Sequence, residues 1–94
     1  MRTVNICGIP HMIEYCPDKF DGDGTHFGQI TYSKALIQIN SDASPQLQEE
    51  ALCHEIIHGI FFHLGMDKEA GDEELVQKLA NAINQSFTPK VKED

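Results

Sequence analysis

Apolar and polar positions change their period part-way along the chain. Up to about residue 40 they come in short, loosely alternating runs; beyond it they recur every three to four residues. Thr3 to Cys7 and Ile9 to Cys16 are rich in β-branched and apolar residues around Gly8-Ile9-Pro10, which predicts two short strands and a turn. Pro17 to Gly24 carries loop signals throughout. Gln29 to Tyr32 and Ala35 to Asn40 predict a second hairpin, turned at Ser33-Lys34. In its second strand, Leu36, Gln38 and Asn40 alternate imperfectly with Ala35, Ile37 and Ile39, so one face is mostly buried.

The back half reads as helix. Ser44 is a good N-cap and Pro45 stands at the first helical position, where its missing N–H costs nothing. Gly65 offers a left-handed stop, so the first helix should run from about Pro45 to Leu64. A second helix should start after Asp72 as its cap and carry Leu75, Val76, Leu79, Ala82 and Ile83 at helical spacing. The fold class expected is α+β: a small antiparallel or mixed sheet of three to four short strands, then two packed helices. Residues 1–87 form one domain and residues 88–94, charged and containing Pro89, a flexible tail.

Composition narrows the function classes. A chain of 94 residues buries only about 60–65% of its unfolded surface, so its core is thin and a bound metal would add stability. A net charge of −8 argues against nucleic acid and against an anionic membrane surface. The three cysteines, Cys7, Cys16 and Cys53, are odd in number and form no CxxC pair, unlike a disulfide-stapled secreted domain. There is no apolar stretch of signal-peptide length near Met1, and Gly59-Ile60-Phe61-Phe62 is far too short to span a bilayer. A reduced, cytoplasmic protein, monomeric or weakly oligomeric, is expected. The Asp21-Gly22-Asp23-Gly24 tract is not an EF-hand loop: its twelfth position is Tyr32 rather than glutamate.

The chemistry lies in His54-Glu55-Ile56-Ile57-His58. Positions i and i+4 of a helix share a face, so both imidazoles can address one metal ion. Glu55 is rotated by about 100° from His54, at the flank of that face, near a metal's water without being forced to ligate. Two neutral nitrogens to hold Zn²⁺ and a carboxylate to take a proton are what metal-assisted hydrolysis needs. The helix is well capped and its neighbours Leu52, Ile56, Ile57, Ile60 and Phe61 are apolar; two histidines there are costly without partners.

Such a site needs a third protein ligand. His63, nine residues beyond His54, points about 180° away and reads as a packing or surface histidine. On the second helix the apolar set centres near the direction of Asp72. Glu73 lies about 100° from that centre and Glu74 about 200°, so Glu73 is preferred, Glu74 is the alternative, and Asp72 is occupied as a cap.

The segment Ala51 to Ile60, followed by Asp72-Glu73-Glu74-Leu75-Val76, resembles the small gluzincin-like metallopeptidases, specifically the minimal minigluzincin and ImmA/IrrE-type proteins, many encoded by phages and mobile elements. The resemblance covers residues 28–87 and rests on HExxH with a downstream glutamate. It implies a zincin-like sheet with its edge strand along a substrate cleft, His54 and His58 as ligands of one Zn²⁺, Glu55 as general base, and one of Glu73 and Glu74 as third ligand. It also implies hydrolysis of peptide bonds by a glutamate-activated, zinc-bound water, with a peptide or protein as substrate and one dedicated protein as a candidate partner. A peptide is expected to add as a strand along Ala35–Asn40. No oxyanion-stabilising residue is assigned; Tyr32 and His26 are present, and His11 reads as a strand-surface residue.

Two rival readings belong to other classes. One is a catalytically silent zinc-binding interaction module, which would not need Glu55. Cys53 lies about 100° back from His54, so it reads as a small buried apolar residue rather than a fourth ligand. The other is an endoribonuclease of the YbeY type, whose three-histidine spacing, counted from His58, falls here on Phe62 and Lys68.

Overall fold

The computed structural model describes residues 1–17 and 27–94. The acidic Asp21–Gly24 tract and His26 lie outside the described residues. The chain is α+β: the described residues form a five-stranded mixed sheet with three helices. The strands are β1 (Arg2–Ile6), β2 (Ile9–Cys16), β3 (Gly28–Thr31), β4 (Leu36–Asn40) and β5 (Val91–Glu93), ordered β3-β4-β2-β1-β5. The helices are α1 (Pro45–His63), α2 (Asp67–Ala70) and α3 (Glu73–Asn84).

Both expected turns are present. Cys7 and Gly8 take positive φ (51° and 81°) between β1 and β2. A single 3-10 turn, Tyr32–Lys34, closes β3 onto β4 through a left-handed Ala35. The two hairpins are joined by parallel pairing of β2 with β4, Ile13 opposite Ile37 and Tyr15 opposite Ile39. This long-range pairing leaves no local trace in the sequence.

Two expectations need correcting. The Ala35–Asn40 strand, expected at the substrate edge, is interior: β4 is flanked by β2 and β3, and β3 is the edge strand. The segment 88–94, expected to be a flexible tail, contributes β5, which pairs antiparallel with β1, Val91 opposite Val4. Val91 packs its apolar side chain against the core that includes Val4 and Ile6, a gain that the flanking charges hide in the sequence.

One face of the sheet carries Val4, Ile6, Ile13, Ile37 and Ile39, which pack on Ala51 and Leu52 of α1. A second cluster, Cys53, Ile57, Val76 and Ala80, joins α1 to α3. Ser44 accepts from the Leu47 amide to cap α1, as Asp72 does from Leu75 to cap α3. Helix α1 ends in a Schellman turn: Gly65 has φ 76°, its N–H donates to Phe62 and the Met66 N–H to Phe61. The turn leads directly into α2, beside α1.

Glycine brings α1 close to the sheet. A Cβ on Gly59 would stand 3.0 Å from Ile6 Cδ1 and 3.2 Å from Ile30 Cδ1, tighter than ordinary contact. Gly59→Val should therefore overpack this contact, costing about 2 kcal/mol and lowering Tm by roughly 10 °C for a domain of this size. A melting curve that coincides with the wild type would contradict this packing.

Candidate metal centre

Two successive turns of α1 and the opening of α3 each place one donor. His54 and His58 are on successive turns of α1, with Nε2 atoms 3.1 Å apart and ring centroids 4.8 Å apart. Glu73 is the first residue of α3, directly after its Asp72 cap. One of its oxygens is 3.1 Å from His54 Nε2 and the other 2.8 Å from His58 Nε2. One ligand atom from each of the three residues lies within 4.8 Å of the other two, the one such group of histidine, cysteine and carboxylate donors among the described residues. Glu74, the alternative, faces away and pairs with Lys78 at 2.9 Å.

The donor set fits a metal ion on its own chemistry. The Nδ1 of His58 lies 2.6 Å from the Ala70 carbonyl, to which it must donate. A neutral His58 then presents an Nε2 lone pair to the Glu73 carboxylate and to His54. The Glu73 oxygen 2.8 Å from that lone pair is repelled unless a proton or a metal ion stands between them. Donors bound tetrahedrally at 2.0–2.1 Å would be about 3.3 Å apart; the nearest approaches between the three side chains are 2.8–3.1 Å, the two imidazoles meeting different oxygens of Glu73. The Nδ1–H to carbonyl bond is also the outer contact that fixes tautomer and ring direction in metal-ligating histidines. Sequence reasoning missed it, because α2 is only four residues long and leaves no periodic signal between Gly65 and Gly71.

Glu55 lies beside this triad without joining it. It is 7% exposed, and its side chain runs past Gly28 of β3, where an added Cβ would meet Glu55 Cγ at 3.3 Å. Burial, and then the charge of Glu73, push its carboxyl pKa up to about 8. Tyr32 lines the same cleft; its phenol is raised by burial first and then by Glu55 and Glu73. The Tyr32 ring is stacked on Phe62 at 4.0 Å between centroids.

The cleft has a volume of about 710 Å³ and runs between α1, the β3 edge and the start of α3. No other described strand pairs with the outer side of β3. The remaining candidates lie elsewhere. His63 is half-buried, as expected of a packing residue, with its Nε2 3.3 Å from His11 Nε2. His11, expected on the strand surface, is instead fully buried: its Nδ1 donates to the Ile9 carbonyl at 2.8 Å. It shares the helix-facing side of β2 with Ile13, a sidedness that imperfect alternation obscured. Cys53 is buried, with Sγ 3.6 Å from the Ala80 carbonyl, and its thiol pKa is raised by burial. All three cysteines are free.

Comparison with protein-family models, with curated proteins and with solved structures finds no match to this chain. Among the described residues no helix is long and apolar enough to cross a membrane.

The raised Glu55 pKa has a consequence for the metal-free protein. Between the ordinary 4.5 and about 8 the folded chain holds a proton that the unfolded chain has released. The group's contribution to stability therefore falls as pH rises through that window. Metal-free Glu55→Gln should gain stability relative to the wild type as pH increases from 5 to about 8, as measured by urea unfolding. A stability difference that does not change with pH would contradict the buried, proton-holding Glu55.

Proposed function

We propose that this chain is a zinc-dependent peptide hydrolase of the minimal gluzincin type. The observation that carries the reading is the convergence of His54, His58 and Glu73 beside a buried carboxyl, Glu55, in an open cleft. A structural zinc site is closed by four protein ligands; among the described residues three converge here, as in sites that leave a position open for water or substrate. When bound, a zinc ion would supply Lewis acidity toward a carbonyl and lower the pKa of a coordinated water.

The other roles belong to the chain itself. His54, His58 and Glu73 hold the ion, with His58 oriented by the Ala70 carbonyl. Glu55 accepts a proton from the attacking water and passes it to the leaving amine. In the metal-free chain its raised pKa describes a carboxyl poised to hold a proton; a dication beside it favours the carboxylate needed at the start of the reaction. The phenol of Tyr32, kept protonated by its surroundings, is the cleft residue suited to donate to a developing oxyanion. The peptide adds as a strand to the outer side of β3, which no other described strand covers and which stands along the cleft. Three free thiols and no membrane-crossing helix among the described residues suit a reducing cytoplasm.

The ribonuclease reading gains nothing from the geometry, since His63 faces His11 rather than the triad. The zinc-loaded wild type should cleave members of a mixed peptide library, with new termini identified by mass spectrometry. Glu55→Gln should lower the cleavage rate by at least about 100-fold, the scale of a lost general base, while still binding zinc. Equal cleavage by Glu55→Gln would refute the proton-transfer role. Bound zinc with no cleavage by either protein would leave an interaction module instead.

A further inference from the structure

The cleft continues beyond the triad along α1, toward the helix N-terminus. Glu50 is one turn before His54, on the same face of the helix and about 6 Å along its axis. It is half-buried and lines the cleft, as do Phe27, Leu47 and Ala51 around it. Its neighbour Glu49 is exposed and lines a separate depression with Arg2 and Tyr15. The two adjacent glutamates thus face different surroundings, and only Glu50 shares a cavity with the metal centre.

Three carboxylates line this cleft: Glu50, Glu55 and Glu73. Glu73 belongs to the triad and Glu55 is the base beside it, which leaves Glu50 without a part in the chemistry. No lysine or arginine lines the cleft among the described residues. An apolar wall of Phe27, Leu47 and Ala51 around a half-buried carboxylate matches one kind of side chain: a methylene stem with a cationic head. The distance fits as well, since about 6 Å along α1 equals about two residues of extended peptide.

We infer that Glu50, with Phe27, Leu47 and Ala51, forms a subsite for a lysine or arginine side chain close to the bond addressed by the metal centre. The inference rests on the peptide-hydrolase reading and adds to it a substrate class, cationic peptides. The stem of the bound residue packs against Phe27 and Leu47 while its head group pairs with the Glu50 carboxylate. Acidic residues at that position are rejected by the same charge. The chain's net charge of −8 acts in the same sense, drawing cationic peptides toward the cleft at low salt.

Zinc-binding peptide hydroxamates provide the test without requiring turnover. One series carries lysine at successive positions on either side of the hydroxamate; matched series carry norleucine or glutamate there. Binding to zinc-loaded protein is measured by calorimetry. At one position the wild type should favour lysine over norleucine by about tenfold, the scale of a charge-assisted contact, and should bind glutamate weakest. Glu50→Gln should reduce the lysine preference to less than about twofold, and Glu49→Gln should keep it whole. Hydroxamates that bind with no lysine preference at any position, or a preference that survives Glu50→Gln, would overturn the subsite while leaving the metal centre intact. A zinc-loaded protein that binds no hydroxamate would overturn the hydrolase reading itself, and the subsite with it.

Discussion

His58 makes the contact on which the arrangement of helices depends. Its Nδ1–H is committed to the Ala70 carbonyl at 2.6 Å, so its Nε2 lone pair must face His54 and Glu73. That approach of Glu73 to the lone pair is tolerable only with a proton or a metal ion between them. Much of the back half of the chain serves to create it. Gly65 turns the chain out of α1, α2 carries Ala70 back beside His58, and the Asp72 cap starts α3 so that Glu73 is its first residue. The Cys53, Ile57, Val76 and Ala80 cluster then fixes the two longer helices against each other. Without an ion or a proton the triad would oppose that packing; with one it adds to it.

The sheet supplies the other half of the constraint. Gly59 lets α1 lie close over Ile6 and Ile30, and Gly28 leaves room for the Glu55 side chain beside β3. Small residues at two points of contact bring a buried carboxyl, the His54, His58 and Glu73 group and a strand edge that no other described strand covers into one cleft. Burial serves Glu55 in two ways: it raises the proton affinity of the carboxyl, and it holds the side chain beside the triad rather than in solvent.

Local signals carried much of this architecture. Ser44-Pro45, Gly65 and Asp72 marked the ends of α1 and the start of α3, and i, i+4 spacing placed His54 and His58 on one face. The angular position of the α3 apolar face distinguished Glu73 from Glu74, because a helix that buries Val76 and Ala80 must turn residue 73 toward its neighbour. Features made by distant residues were not legible. The parallel β2–β4 pairing moved β4 to the interior and made β3 the edge. The charged tail hid β5, and burial of His11 depended on His63 arriving from 52 residues away. The Ala70 carbonyl could not be foreseen because backbone groups carry no identity in a sequence.

We propose that His54, His58 and Glu73, and not Glu74, hold one metal ion. Metal content by mass spectrometry tests this, on protein without a histidine tag and reconstituted with zinc. The wild type and Glu74→Ala should each hold one zinc per chain, and Glu73→Ala should lose most of it at the same free zinc concentration. No stoichiometric zinc in the wild type, or equal retention by Glu73→Ala, would contradict the triad as the metal centre.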